Sequence, residues 1–292
     1  MALIDILFAA LFDAAVLFLV SAGLQLIFGV QRVVNLTAGS FYAVGAYFGA
    51  TVFEWCTEHG APAVLLLPIL LCTGVIAGQI GFVVERVMRT VYQRDESFQL
   101  LMSFAFVLMF QDFLRFFWGA QPRLLKDLPS VYGSIRLGTT NFPVYNAAVI
   151  GCAVIFAACL WWFIERTAMG HILRATAENR QMADALGANT RRINMLIFVL
   201  GATLGTVAGA LVIPTTAASI EMPISLIVET FAVVVIGGLG SVRGAFVGAV
   251  AVGLLRGLSL RYFPELEIVA IYVVVVTVLI VRPYGLFGKV WQ

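Results

Sequence analysis

Residues that commonly carry catalytic chemistry are scarce in this chain of 292 residues. Its two histidines, His59 and His171, both fall in loops between long apolar runs. A serine hydrolase needs its general base beside its nucleophile, and neither histidine is placed to act as that base. The four cysteines show no CxxC or Cys/His spacing, so no metal site is predicted. Because the motifs GxxxxGK[ST], HExxH and GxSxG do not occur either, hydrolytic chemistry is not expected.

A few ionisable residues lie inside apolar runs. Glu229 lies within an apolar run, and Asp112 and Arg115 stand three residues apart, a helical spacing at which they can pair. A carboxylate at membrane depth is costly and is a functional candidate by default. Two interpretations of Glu229 stay open: a position on a transport pathway, or a structural ion pair with a basic group on a neighbouring helix.

Two glycine-containing stretches, residues 35–40 and 237–244, each join a short apolar segment to a following helix. Non-helical backbone at membrane depth is tolerated only where it is buried in protein or faces a water-filled cavity. Interrupted helices of this kind commonly border the route of a transported solute. Tight turns at the membrane surface are the alternative, and spacing alone does not distinguish the two.

The composition predicts that these residues sit in a membrane. The chain is 61% hydrophobic and 12% charged, whereas soluble domains carry roughly 25% charged residues. At about 20 residues per crossing, the apolar residues suffice for eight or nine spans. We therefore predict a single all-α domain over residues 1–292, a polytopic transmembrane helical bundle. The net charge of +2 gives no indication of nucleic-acid binding.

Nine apolar runs are candidate spans, of which the second and seventh look short for a full crossing. They are Leu3 to Val30, Leu36 to Phe53, Pro62 to Val84, Phe98 to Trp118, Phe142 to Ile164, Ile193 to Ile213, Ile224 to Leu239, Ala245 to Tyr262, and Leu266 to Val281. Small residues allow close approach of helices in lipid. The four-residue spacing of Gly201, Gly205 and Gly209 therefore predicts one continuous packing groove.

Basic residues predict the orientation, because Lys and Arg in short loops stay on the cytoplasmic side. Arginines cluster after the third and fifth runs, and Arg282 and Lys289 occur in the tail. The third and fifth runs therefore end in the cytoplasm, and nine crossings place the N-terminus outside and the C-terminus inside. Eight crossings are the better count if one short run is re-entrant. The loop at 119–141 is an exception to this rule, because it is predicted to lie outside but contains three basic residues: Arg123, Lys126 and Arg136.

The cytoplasmic loop 166–192 contains the clearest local pattern. Residues Ile172 to Leu186 include no Pro or Gly, and Gly187 is placed to end a helix. On such a helix one face is apolar and the other charged or polar; the apolar residues are Ile172, Ala175, Met182, Ala183 and Leu186, and the others Arg174, Glu178, Arg180, Gln181 and Asp184. The helix suits either the membrane surface or a groove in a partner protein.

Across nearly the whole chain, four stretches in order resemble the LivH-type permeases of branched-chain amino-acid ABC importers. They are Val34 to Tyr47 (VNLTAGSFYAVGAY), Met169 to Asn189 with its RATAEN and MADALGAN portions, Val235 to Ser241 (VIGGLGS), and Arg282 to Gly288 (RPYGLFG).

The resemblance implies an inner-membrane subunit without catalysis or a cofactor of its own. Similar permeases work with a second, LivM-like permease or a second copy, two cytoplasmic ATPases that bind ATP and Mg²⁺, and a periplasmic binding protein. The predicted cytoplasmic helix is then the coupling helix, which docks on an ATPase through Arg174, Glu178, Arg180, Met182, Asp184, Leu186 and Gly187. Transport proceeds by alternating access, and the polar groups expected along the passage are Asn35, Thr37, Ser40 and Glu229.

Two residues depart from the pattern of the family. Ala38 stands where many relatives have His. Many LivH-type relatives have Lys near the position of Glu229, whereas other branches of the family have an acid there. A reversed charge near the passage leaves the solute open among branched-chain or related amino acids, urea, amides, and aromatic or other carboxylates. An ion-coupled secondary transporter is an alternative of a different class, with Glu229 as its candidate ion-binding residue.

Overall fold

The computed structural model describes residues 2–33, 35–60, 62–92, 94–125, 132–137, 140–262, 264–282 and 285–288. Some residues used in the sequence interpretation lie outside these ranges. They are Val34, Lys126, Pro283, Tyr284 and Lys289.

Within these ranges the chain forms twelve α-helices, so the predicted helical bundle is confirmed. They are α1 (Ala2–Gln31), α2 (Ala38–Glu58), α3 (Ala63–Gly78), α4 (Ile80–Met88), α5 (Glu96–Trp118), α6 (Val144–Arg166), α7 (Ala168–Glu178), α8 (Arg180–Ala185), α9 (Thr190–Val212), α10 (Met222–Gly237), α11 (Val242–Tyr262) and α12 (Glu267–Val281). By length and composition, six segments of the described chain can cross a membrane; α10 and most of α12 are shorter apolar helices.

Helix α9 lies at the centre of the bundle, where it contacts α1, α2, α3 and α4. The predicted glycine row explains how these helices approach so closely. A Cβ atom at Gly201 would meet the carbonyl oxygen of Gly23 in α1, and one at Gly209 would meet that of Tyr42 in α2. Gly205 lies against Phe41 of α2. The row therefore packs against two helices at once.

Helix α6 lies at the periphery. In the apolar window of α6 only 17% of residues are buried, compared with 72% for α9. Exposed side chains along α6 include Val154, Ile155, Trp161 and Trp162. An apolar exposed face of this kind is what contact with lipid requires, since lipid tails are as apolar as these side chains.

Two predicted segments differ in detail from the structure. The third apolar run forms two helices, because α3 ends at Gly78 and α4 starts at Ile80. The fifth run starts later than predicted, since Phe142 belongs to a short antiparallel hairpin of β1 (Ser134–Leu137) and β2 (Thr140–Pro143). Pro143 has an extended backbone and α6 begins directly after it, which fits the poor tolerance of proline inside helices.

The prediction of one continuous helix from Ile172 to Leu186 is wrong at Asn179. This residue is extended, with φ −148° and ψ 99°, and separates α7 from α8. Its side-chain oxygen accepts a hydrogen bond from the backbone N–H of Met182 at 2.9 Å. Asparagine competes in this way for backbone donors and starts a new helix. The predicted apolar face is consequently divided between two short helices.

Candidate functional site

The first glycine-containing stretch lies inside the bundle. At its start, Gln31 donates a hydrogen bond from Nε2 to the carbonyl oxygen of Asn194, at 3.0 Å. Beyond it, the carbonyl oxygen of Ala38 lies beside Gly205. Asn194 and Gly205 are separated by about 16 Å along α9, at the rise per residue of an α-helix. The described residues of this stretch, 32, 33 and 35–37, therefore span about half of the roughly 30 Å hydrocarbon thickness and belong to no helix. This geometry favours an interrupted helix over a surface turn.

The polar residues of this stretch are almost completely shielded. Asn35, Thr37 and Ser40 are 1%, 0% and 0% exposed. The side-chain oxygen of Asn35 accepts hydrogen bonds from the backbone N–H of Thr37 at 3.0 Å and from its hydroxyl at 2.5 Å. Within the described chain, Asn35 Nδ2 and Ser40 Oγ have no hydrogen-bond partner. Because buried polar atoms are usually paired, these two unpaired atoms keep Asn35 and Ser40 as candidate binding residues.

Helix α10 presents a further polar group near the start of α2. The side chain of Ile227 packs against Gly39, and Thr230 lies about one turn further along α10. Thr230 is 1% exposed, and its hydroxyl also lacks a partner among the described residues. The sequence interpretation missed Thr230, although it adjoins Glu229 in an apolar run and so forms a polar pair at membrane depth.

Glu229 belongs to a group of three charged residues from three helices, which we call the ionic trio. Its Oε2 lies 3.0 Å from Nη1 of Arg256 in α11. Arg256 Nε lies 4.0 Å from Oδ2 of Asp13 in α1. Glu229 thus has the basic partner on a neighbouring helix that its structural interpretation requires. The sequence interpretation missed Asp13 and Arg256, although each is an ionisable residue within an apolar run.

The ionic trio lies far from the Gln31 end of α1 and reaches the surface of the bundle. Asp13 precedes Gln31 by about 27 Å of helix. The side chains of Asp13, Glu229 and Arg256 are 29%, 23% and 30% exposed, and Tyr42 of α2 is within electrostatic range of all three. Charged groups at membrane depth face the bundle interior or a water-filled cavity rather than lipid. This face therefore suits a passage or a contact with another subunit.

The second glycine-containing stretch forms a turn between α10 and α11. Gly238 and Gly240 have φ values of +95° and +79°, in the region that favours glycine. Gln25 of α1 fixes this turn, because its amide donates to the carbonyl oxygen of Gly238 at 2.9 Å and accepts from the backbone N–H of Gly240 at 2.5 Å.

The last matching stretch packs on this turn. The backbone N–H groups of Leu286 and Phe287 donate to the carbonyl oxygens of Ile236 and Gly237 at 2.9 and 3.0 Å. Two stretches that are separate in sequence therefore form one structural unit with α1. This unit covers the C-terminal end of α10.

Helices α7 and α8 form the segment that is predicted to lie in the cytoplasm and to couple to a partner, and α7 is anchored to the bundle. Arg174 pairs with Glu165 of α6 at 3.0 Å, and Arg243 of α11 pairs with the same carboxylate at 2.8 Å. Arg32 donates from Nη2 to the carbonyl oxygen of Ala177 at 3.2 Å. Arg32 has φ +54°, a conformation uncommon outside glycine. It links the cytoplasmic segment to the start of the interrupted stretch.

The same segment exposes apolar side chains. Met182 and Leu186 are 59% and 81% exposed, while Glu178, Arg180 and Asp184, the charged residues predicted for coupling, are exposed around them. Gly187 ends α8 with φ +87°. The backbone N–H groups of Gly187 and Ala188 donate to the carbonyl oxygens of Asp184 and Ala183, each at 3.0 Å, which is a Schellman motif. The predicted helix stop at Gly187 is therefore confirmed.

Comparison with known proteins shows the family. Residues 6–281 match the family described as "Branched-chain amino acid transport system / permease component". The chain belongs to this family. The permease is 28% identical over 280 residues to the high-affinity branched-chain amino acid transport system permease protein LivH of Escherichia coli K12, covering 93% of this chain and 91% of that protein. It is 23% identical over 280 residues to the corresponding protein BraD of Pseudomonas aeruginosa, with the same coverage.

Among solved structures, the permease is similar to PsaBC from Streptococcus pneumoniae in complex with Fab, with 13% sequence identity and a TM-score of 0.48. The match covers 92% of this chain and 87% of that chain. The resemblance predicted from the four stretches is confirmed by the family match. The permease is a multi-span membrane protein of the branched-chain amino-acid ABC permease family.

The structure separates the predicted pathway residues into two groups. No group of three or more His, Cys, Asp or Glu residues that could hold a metal ion occurs in the described part of the chain. The structure brings Asn35 and Thr37 into contact and places Ser40 one turn into α2, whereas Glu229 lies with Asp13 and Arg256. The roles of these residues in transport stay predictions.

Proposed function

We propose that the permease is the membrane subunit of an ATP-driven importer that carries branched-chain or related amino acids across the inner membrane. The names of the relatives support this class of solute. The family match also favours an importer driven by partner subunits over an ion-coupled secondary transporter.

The proposed assembly needs several partners. A second LivM-like permease or a second copy of this chain completes the membrane part, and a periplasmic binding protein delivers the solute. Two cytoplasmic ATPase subunits bind ATP and Mg²⁺, while this chain holds no cofactor. The main support is the α7–α8 segment, which the arginine distribution places in the cytoplasm and which leaves Met182 and Leu186 exposed. Exposed apolar side chains rimmed by polar residues are typical of a protein-binding surface.

Alternating access follows from this arrangement. Closure of the ATPase pair moves the docked α7–α8 segment, and the bundle then opens first to the outside and later to the cytoplasm. Arg32 transmits this movement towards the interior of the bundle. It donates a hydrogen bond to the carbonyl oxygen of Ala177 in α7, and the next residue begins the interrupted stretch 33–37. Directionality comes from the state change that ATP binding imposes on the assembly.

The ionic trio fits a solute that carries both charges. The carboxylate of an amino acid would bind at Arg256, and its ammonium group at Asp13 and Glu229. Since Arg256 already has a carboxylate partner, a solute exchanges one ion pair for another and gains little binding energy. A weak site of this kind suits a passage, because a tightly bound solute would be retained.

The proposal is tested by placing a charge on the coupling surface. In vesicles that contain the assembled importer, we expect Leu186→Asp to reduce ATP-driven uptake of branched-chain amino acids at least about tenfold, because a desolvated carboxylate disrupts an apolar contact. The matched control is Leu124→Asp, since Leu124 is also highly exposed, at 68%, but lies in the loop predicted to be outside. This control should leave uptake near that of the wild type.

Further measurements distinguish the importer from other transporters. Uptake should be indifferent to the collapse of sodium and proton gradients. Uptake that persists without ATPase subunits, or equal losses in the two variants, would contradict the proposal.

A further inference from the structure

A cleft of about 350 Å³ opens at the cytoplasmic end of the bundle, beside the α7–α8 segment. Its lining combines residues from the α4–α5 connection with residues of α8 and α9. They are Arg89, Thr90, Tyr92, Arg180, Arg191 and Asn194. We call this the arginine cleft. It lies apart from the ionic trio, which is far from the Gln31 end of α1.

The arginine cleft carries surplus positive charge. Arg89 is compensated by Glu85, which is 0% exposed and accepts from Arg89 Nε at 3.1 Å. Arg180 and Arg191 are exposed, and neither forms an ion pair within the described part of the chain. Two guanidinium groups therefore face a concave surface without a compensating carboxylate. Guanidinium groups match the geometry of phosphate oxygens and bind them in bidentate fashion.

Two further polar groups belong to the lining. Asn194 Oδ1 is buried and has no hydrogen-bond partner in the described structure, and the hydroxyl of Tyr92 lies beside the side chain of Gln31. Burial, and then the nearby carboxylate of Glu85, raises the pKa of Tyr92 above its ordinary value. The phenol thus stays protonated at neutral pH and can donate a hydrogen bond. The amide of Asn194 can also donate, since its two ends are interchangeable by rotation. Both groups suit an anion with several acceptor oxygens.

An exposed apolar strip continues from the cleft towards the membrane centre. Val83 and Val87 are 62% and 38% exposed. They precede Thr90 by seven and three residues, so all three share one face of the α4 segment. Asn194 is at the level of Gln31, the cytoplasmic end of α1, so the cleft is where lipid headgroups lie. A ligand with a phosphate group and acyl chains would bind in the cleft through its phosphate and pack on the strip through its acyl chains.

We propose that the arginine cleft binds the phosphate group of an anionic phospholipid of the cytoplasmic leaflet, with the acyl chains along Val83 and Val87. Arg180 and Arg191 bind the phosphate oxygens, and Tyr92 and Asn194 donate further hydrogen bonds. Because Arg180 belongs to α8, the bound lipid also fixes the coupling segment relative to α4.

The test uses the full-length permease, purified in detergent and delipidated, with bound lipid counted by native mass spectrometry. Dioleoyl phosphatidylglycerol should bind in preference to dioleoyl phosphatidylcholine. Arg191→Gln should weaken the phosphatidylglycerol interaction about tenfold, the loss expected for one charge-assisted contact. Arg192→Gln is the matched control, because this neighbouring exposed arginine does not line the cleft. Arg191→Lys, which keeps the charge, should retain most of the binding.

The source of the phosphate is decided by a second arm with inorganic phosphate. If millimolar phosphate fails to displace phosphatidylglycerol, the lipid is the ligand. Displacement of phosphatidylglycerol by phosphate, with the same dependence on Arg191, would overturn the lipid assignment in favour of a soluble phosphate compound. Equal binding by the Arg191→Gln and Arg192→Gln variants, or no preference for phosphatidylglycerol over phosphatidylcholine, would overturn the site itself. These measurements need neither ATPase nor transport, so their outcome is independent of the proposed function.

Discussion

The role of a charged residue in an apolar run depends on the residues with which it pairs. Glu229 alone suggests either a pathway residue or a structural one, whereas Arg256 and Asp13 turn it into part of an ion network with three helices. The side chains of the trio are only 23–30% exposed, so their charges are less screened than those of a surface pair and should depend on one another more strongly. The exposed pair of Glu54 and Arg123 offers a direct comparison.

A double-mutant cycle tests this dependence. We expect Glu229→Gln and Arg256→Gln to be coupled by about 1–2 kcal/mol in the free energy of unfolding, because either change alone leaves a charge at membrane depth without its partner. The same cycle on Glu54 and Arg123, whose side chains are 43% and 36% exposed, should give about 0.5 kcal/mol or less. Reversible unfolding in mixed micelles provides the measurement. Equal coupling in the two cycles would show that the trio is no more than a solvated pair.

Helix α9 controls how closely the neighbouring helices pack. Its glycines let the backbones of α1 and α2 come into contact with the backbone of α9. In lipid no hydrophobic force drives helices together, so this close backbone contact stabilises their association instead. Helix α6 also contains a glycine, Gly151, but a Cβ atom there would have no neighbour within 4 Å. The same residue type therefore has different roles in a central helix and in a peripheral one.

Alanine substitutions separate these two roles. Gly209→Ala should destabilise the permease by about 2 kcal/mol, since the added methyl group would overlap the carbonyl oxygen of Tyr42. Gly151→Ala should be neutral or stabilise by about 0.5 kcal/mol, because alanine has the better helix propensity. Thermal unfolding in detergent, read by tryptophan fluorescence or by loss of the monodisperse peak, measures both. Similar melting temperatures for the two variants would exclude the close contact of α9 with α2.

At the scale of the whole molecule, orientation depends on charges whose surroundings differ. The arginines beside α7 and α8 make one end of the bundle basic, and the positive-inside tendency predicts that this end is cytoplasmic. Arg123 is an exception to this tendency, because it lies in the loop predicted to be outside. In the structure it pairs with Glu54 at 3.3 Å. The positive charge of the outer loop is therefore partly compensated by the end of α2.

Cysteine labelling tests the orientation. In a variant without its four native cysteines, Glu58→Cys should react with a membrane-impermeant maleimide in intact spheroplasts. His171→Cys should react only after lysis, because α7 is predicted to lie in the cytoplasm. Both residues are exposed, so a difference in labelling reports sidedness rather than burial. Labelling of His171→Cys in intact spheroplasts would reverse the topology and remove the coupling surface from the cytoplasm.

Much of the architecture was determined by the sequence itself. Apolar runs, glycine spacing and arginine distribution depend on local composition, and they predicted the helical bundle, the groove of α9 and the helix stop at Gly187. The break at Asn179 was missed, although an asparagine three residues before the backbone donor of Met182 is a local capping signal.

Only the tertiary structure decided which distant residues meet. No local pattern relates Asp13 to Arg256, Gln25 to Gly238, or the tail to the turn that it covers, because these contacts depend on how separate helices cross. The depth of residues 32–37 in the membrane was likewise undecided in the sequence, because a short polar stretch can have the same composition at a membrane surface and inside a bundle. Its position became visible only through the neighbours Asn194 and Gly205 on α9, because depth is a relation between helices and not a property of one segment.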